Sequence, residues 1–293
     1  MKLAALLSFT SLSLVSGATR TFTPPKDAFN NPVFMTAAKF NGGTTSELVV
    51  CPSGDCTSGQ TIKVSVDSLK ITDESGSELE TFTISSAEWS EIIKETDGGL
   101  DVSTTTYTAT LQDSETVTFT AKIFHAPGTT KITAIRSASV RAGAVKFSVR
   151  FPTWPSSDAP VSGQKLKLVL KLEGKTSTGT SPELSIGYSE DVLDTRVVSL
   201  GEGMFMDVPS KARFDEGDSD TDISQVVAGS AKTLELSFPA FIEGWYDSVI
   251  RSTDPSAAKP APVVFKAPND ADGEPIVLTA ANFVKGQAGK LVF

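Results

Sequence analysis

The chain has 293 residues, with 26 basic and 35 acidic side chains, a formal net charge of -9, two cysteines and one histidine. That balance repels nucleic acid and anionic membrane surfaces, and the Cys and His count falls short of the four ligands a structural zinc site takes. The length is enough for one large β domain or two smaller ones.

The chain opens with Met1-Lys2, an apolar run from Leu3 to Val15, and Ser16-Gly17-Ala18. One positive charge, a short apolar core and small residues at the end make a secretory signal peptide over residues 1-18. The run is too short to span a bilayer, and no other stretch approaches that length. The expectation is a secreted, soluble protein that starts near Thr19 and, having lost Lys2, carries a charge of -10. Residues 19-42 hold Phe22, Pro24, Pro25, Phe29, Pro32 and Phe34, and read as an irregular arm with at most one edge strand. Cys51 and Cys56, in Cys51-Pro-Ser-Gly-Asp-Cys56, are expected to pair as a local disulfide that closes a turn. There is no Asn-x-Ser/Thr sequon, so no N-linked glycan is expected.

Ser46 to Cys51 and Thr61 to Ile71 read as strands, the second with Ile62, Val64 and Val66 inward. Thr72 to Gly76 is a turn, and Phe82 and Ile84 belong to the next short strand. Residues 86-95 are the best helical candidate: Ser85 or Ser86 caps, Trp89, Ile92 and Ile93 share a side, and Asp97-Gly98-Gly99 stops it. Thr105 to Leu111 and Thr116 to Phe124 form a hairpin.

Three runs then alternate almost without error. They are Val117, Phe119, Ala121, Ile123; Val145, Phe147, Val149, Phe151; and Leu166, Leu168, Leu170, Leu172. Strand side chains alternate between faces, so each run makes one apolar and one polar face. On that parity Lys146 lies on the wet side. Ile132 to Ile135 reads as a further strand, and Pro152 to Pro155 breaks the pattern. Strands follow at Leu184 to Tyr188, Val197 to Leu200, Met204 to Val208 and Lys232 to Phe238, before an aromatic end at Phe241, Trp245 and Tyr246. Pro255, Pro260, Pro262 and Pro268 mark residues 252-293 as a Pro-rich C-terminal extension. More than ten short strands without a repeat predict an all-β fold over residues 19-251, an antiparallel β-sandwich or jelly roll. A division into two packed β units would fall near residue 115.

Several phrases recur together: Thr120-Ala-Lys-Ile-Phe124, Val145-Lys-Phe-Ser-Val149 ending in Phe151-Pro-Thr-Trp-Pro155, Lys165 to Leu172, Gly203-Met-Phe-Met-Asp207, and Phe238-Pro-Ala-Phe241 with Trp245-Tyr-Asp247. In this order residues 116-249 resemble the β region of the coral skeletal aspartic acid-rich proteins, without that family's long acidic runs. The resemblance implies a secreted, mineral-associated matrix component that binds calcium through carboxylates.

The residues themselves offer one densest acidic run: Asp215, Glu216, Asp218, Asp220 and Asp222. Calcium takes six to eight oxygens, mostly carboxylates and carbonyls. Asp218, Asp220 and Asp222 match the first ligands of an EF-hand loop, but Ile223 stands where that loop needs Gly and Gly229 where it needs Glu. A calcium site of another geometry, or a solvated acidic turn, are the two readings. Asp270, Asp272 and Glu274 form a smaller version. His125 would be needed by a Ser-His-Asp triad, yet no Gly-x-Ser-x-Gly elbow supports one; a strand-end histidine bonded to backbone is favoured. Trp89, Trp154 and Trp245 are candidates for stacking sugars or for plugging sheet ends. The reading is a non-enzymatic extracellular matrix or surface protein with weak calcium binding and biomineralization among its settings. Its partners would be calcium or a mineral surface, matrix proteins or polysaccharide. The alternatives are a carbohydrate-binding module and a jelly-roll hydrolase.

Overall fold

The structure is a computed structural model that describes residues 18–111, 115–189, 194–215 and 220–253. The leader and the Pro-rich extension lie outside the described residues, apart from their inner ends.

Strands form where apolar and polar residues alternate, and β12 (Lys165–Lys175) shows the rule most plainly. Its Leu166, Leu168, Leu170 and Leu172 are at most 1% exposed. Numbered along the chain, it shares a sheet with β1 (Thr19–Phe22), β2 (Ala37–Asn41), β3 (Glu47–Cys51), β4 (Thr61–Thr72), β5 (Glu78–Phe82), β18 (Ser224–Ala228) and β19 (Thr233–Pro239). The order is β1-β2-β3-β4-β12-β19-β18, with β5 beside β4 where β3 has left it. The second sheet has ten strands. β6 (Ile93–Asp97), β7 (Leu100–Thr110), β8 (Thr116–Phe124), β11 (Val145–Phe151), β13 (Ser185–Tyr188), β14 (Thr195–Gly201), β15 (Met204–Pro209) and β20 (Gly244–Ser252) run in the order β13-β14-β15-β20-β11-β8-β7-β6. β16 (Lys211–Phe214) takes the rest of one edge of β20, and β17 (Asp220–Asp222) pairs with β16.

Both sheets are antiparallel and contribute their inner faces to one core, so the fold is a β-sandwich. Phe119, Phe147 and Met206 from the ten-stranded sheet share that core with Leu48, Leu168 and Leu236 from the other. A chain of rings runs through it, Phe40, Trp89, Tyr107, Phe119 and Phe147, at successive centroid separations of 5.1, 5.6, 6.2 and 5.9 Å.

β4 needs one correction to its period to serve this core. Ile62, Val64 and Val66 point inward, and so do Leu69 and Ile71, which have the opposite parity. The register against β12 skips Asp67 between Val66 and Ser68, so a β-bulge absorbs the extra residue.

A separate hairpin, β9 (Gly128–Lys131) with β10 (Ser137–Val140), lies on the outer face of the ten-stranded sheet. It covers a second, smaller core of Val102, Phe124, Ile132, Ala138, Val140, Ala144 and Val249. Residues 132–135, expected as a strand, are the turn of this hairpin, held by Ile132 N–H donating to Arg136 O at 3.0 Å.

The helix expected over residues 86-95 is absent. Gly43 and Ala87 form one β-bridge, Trp89 and Tyr107 another, and Ser90 N–H donates to Thr106 O at 2.8 Å. Trp89 is 1% exposed whereas Ile93 is 56% exposed, so the three residues read as one helical face do not share a surface. Tertiary pairing overrides a periodicity made by only three residues. The aromatic end at Trp245 and Tyr246 is likewise the start of β20, a nine-residue strand hydrogen-bonded on both edges.

Candidate functional site

The acid-rich run begins where β16 ends and closes in β17. Asp215 adopts a left-handed φ of 54°, a conformation Asp tolerates because its short side chain bonds locally. Its Oδ1 accepts the N–H groups of Ile242 (2.8 Å) and Glu243 (3.0 Å), and its own N–H donates to Glu243 O at 2.8 Å. Asp220 reaches the other way. Its Oδ1 accepts Ala134 N–H at 2.7 Å and its Oδ2 accepts Ile135 N–H at 3.4 Å, which ties β17 to the turn of the β9–β10 hairpin. Asp222 faces Lys211 across the strands with Nζ to Oδ1 at 3.0 Å, and its side chain is 84% exposed. The hydrogen bond from Lys211 to Asp222 holds the ammonium above its usual value. Glu216 and Asp218 lie outside the described residues, as do Asp270, Asp272 and Glu274. Asp220 and Asp222 belong to a paired strand, not to a continuous loop. Among the described residues no group of three or more His, Cys, Asp or Glu side chains gathers as a metal site would require.

His125 follows β8 directly. Its Nε2 and the Ser103 hydroxyl are 2.9 Å apart, and its main-chain N–H donates to Asp101 O at 3.0 Å. The ring packs beside Phe22 and Phe34, at centroid distances of 6.4 and 5.9 Å, and those two rings are 6.1 Å from each other. Burial lowers its pKa, against the raising effect of Asp101, and Lys94 lowers it further. A cleft of about 310 Å³ opens beside it, lined by Lys94, Glu95, Thr96, Asp101, Val102 and His125. Hydroxyl and imidazole thus meet at the distance a nucleophile and its base need. Ser103, however, is only 4% exposed, and Asp101 meets His125 through its main-chain oxygen.

The tryptophans are placed by packing. Trp89 and Trp154 are 1% and 5% exposed, and Trp154 stands edge-on to Phe241 at 5.2 Å. Trp245 has Arg150 and Arg213 over its ring at 5.3 and 4.5 Å. Trp89 and Trp154 therefore offer no open ring face to a sugar, and half-buried Trp245 is engaged by the two guanidinium groups. Cys51 and Cys56 are joined as expected, with Cα atoms 5.1 Å apart, at the end of β3.

Sequence reasoning missed one polar cluster. Lys146, assigned to the wet face, is 7% exposed. The β9–β10 hairpin covers it, and it binds Asp97 (3.6 Å), Asp247 (3.2 Å) and Lys131 O (2.7 Å). Asp97 also meets Lys122 at 3.2 Å, and Lys122 meets Glu95 at 3.5 Å. Burial raises the Asp97 carboxyl, but Lys146 and Lys122 outweigh it and leave the group below its ordinary value. The available signal was the alternation of Ala138 and Val140, which needed an apolar surface to cover.

No protein-family model matches the chain, and no curated protein matches it.

Proposed function

We propose that the protein is a secreted, acidic, non-enzymatic component of an extracellular matrix or surface, with low-affinity calcium binding at the Asp215–Asp222 run. One observation carries the calcium part. Asp215 and Asp220, the first and fourth carboxylates of the five, are each held by two main-chain amides, while Asp222, paired with Lys211, keeps most of its side chain in solvent. Mutual repulsion of carboxylates is relieved by a divalent cation, and two members fixed in place lower the entropy cost of gathering its ligands. The local disulfide and the leader pattern of residues 1-18 support the extracellular setting. The resemblance of residues 116-249 to the coral acid-rich proteins supports the matrix role. The nearly buried Ser103 hydroxyl favours a structural Ser-His pair over a hydrolytic one.

Calcium titration with thermal melting tests the reading. Affinity is expected at ~10⁻⁴–10⁻³ M, as for extracellular modules without a closed cage. At tenfold excess over a ~1 mM Kd the folded state gains about 1.4 kcal/mol, a rise of roughly 2–4 °C in Tm. The variant Glu216→Gln/Asp218→Asn/Asp222→Asn should fold and lose the rise. Asp220 is left intact because it holds the hairpin turn. Equal responses in the two proteins, or none at millimolar calcium, would remove the calcium role.

A further inference from the structure

The outer face of the eight-stranded sheet carries a strip of six lysines on β4 and β12, of which Lys63 pairs with Glu47 at 2.5 Å and Lys171 with Glu173 at 3.3 Å. Lys63 and Lys70 on β4 and Lys165, Lys167, Lys171 and Lys175 on β12 all point away from the core, because the inward parity of these strands is taken by Ile62, Leu69 and the four leucines of β12. Four of them are spaced along one strand, and at ~3.3 Å per residue Lys165 to Lys175 spans about 33 Å.

Lys70 and Lys167 stand directly opposite one another, an arrangement that destabilises a sheet. The ten-stranded sheet has a similar facing pair, Lys122 and Lys146, and places Asp97 within reach of both, at 3.2 and 3.6 Å. Lys70 and Lys167 share no such acid. Lys167 turns to Glu235 on β19 at 2.9 Å and Lys70 to Glu78 on β5 at 3.9 Å. At one end of the strip Lys63 and Lys175, with Glu173, Thr61 and Ser181, line a cleft of about 300 Å³. No described element lies over this face as the β9–β10 hairpin does over the other sheet.

We propose that this face binds an extended acidic polysaccharide, sulfated or carboxylated. A polyanion supplies the negative charge missing between Lys70 and Lys167, and ammonium groups bind such charges as point donors. Among the outward positions of β4, β12 and β19, Ser68 and Thr233 are half-buried and present hydroxyls that match those of a sugar chain. Those positions hold no aromatic side chain, which single-stranded nucleic acid needs for base stacking. Val169 and Pro239 are their apolar residues, so an acidic peptide finds little to anchor it. The proposal goes beyond the matrix reading and uses a surface formed by neither β16 nor β17.

The test is binding of the mature protein to heparin by calorimetry in EDTA, with dextran, oligo-dT and polyglutamate as comparison probes. Heparin should bind in a salt-dependent manner, and dextran should not. Lys70→Gln/Lys167→Gln/Lys171→Gln should weaken binding on the order of tenfold, taking three exposed ion pairs together. Lys26→Gln/Lys131→Gln/Arg141→Gln, with the same charge change at exposed sites elsewhere, should leave it within about twofold. Melting curves establish that both variants fold. If the first does not, Lys165→Gln/Lys175→Gln takes its place. No heparin binding, equal losses in the two variants, binding that needs calcium, or tighter binding of oligo-dT or polyglutamate would each overturn the proposal. The calcium response of the same proteins is read separately, so failure of one reading is distinguishable from failure of the other.

Discussion

Phe147 and Lys146 are neighbours on β11 that face opposite sides of the ten-stranded sheet, and both are buried, at 1% and 7% exposed. Phe147→Ala should cost ~3–5 kcal/mol through the cavity it leaves among Phe119 and the other core residues. Lys146→Ala should cost ~1–3 kcal/mol, because Asp247 and the Lys131 carbonyl lose their ammonium partner while Asp97 keeps Lys122 at 3.2 Å. Urea denaturation of the two variants measures both, and a Lys146→Ala cost within ~0.5 kcal/mol would mean that the hairpin does not cover this lysine. The same cluster sets a pH dependence. The folded Asp97 carboxyl lies below its unfolded value, so the unfolded chain binds the proton first. The contribution of Asp97 is therefore present above about pH 4 and is lost as pH falls through the folded value. In Asp97→Asn the stability deficit should be largest at neutral pH and shrink below about pH 4, as melting across a pH series would show.

At the scale of the strand, the bulge at Asp67 makes a sharp comparison. Asp67→Ala changes an exposed side chain and should stay within ~0.5 kcal/mol. Deleting Asp67 removes the extra residue, so Ile62, Val64 and Val66 can no longer face inward together with Leu69 and Ile71. The deletion should abolish cooperative unfolding or lower Tm severely, and circular dichroism on heating distinguishes the two variants. This bulge also shows where sequence reading reaches its limit. The runs at Val117–Ile123, Val145–Phe151 and Leu166–Leu172 were legible because each keeps one period along its length. The inward residues of β4 change parity at Asp67, and only the register against β12 reveals it. Residues 132–135 were misread because a hairpin turn that buries Ile132 has the same composition as a short strand. The segment around Trp89 was misread because its hydrogen-bond partners, Gly43 and Thr106, are distant in sequence.

For the whole molecule, net charge hides how charge is distributed. A formal -9 describes solubility and long-range repulsion, yet one sheet presents a lysine strip and the other carries Asp215, Asp220 and Asp222 at β16 and β17. The acidic run was visible as composition, but the main-chain amides held by Asp215 and Asp220 were not, because residues 242–243 and 134–135 come from separate parts of the chain. The lysines of β12 were visible too. Their standing opposite Lys70 required the antiparallel register of β4. The position of the first and last described strands has a mechanical consequence. β1 is hydrogen-bonded to β2 alone, at the margin of its sheet, whereas β20 is held on one edge by β11 and on the other by β15 and β16. Tension entering through the strand ends would peel β1 away while β20 still bore load, so the two ends of the sandwich are unequal as attachment points for a stretched material.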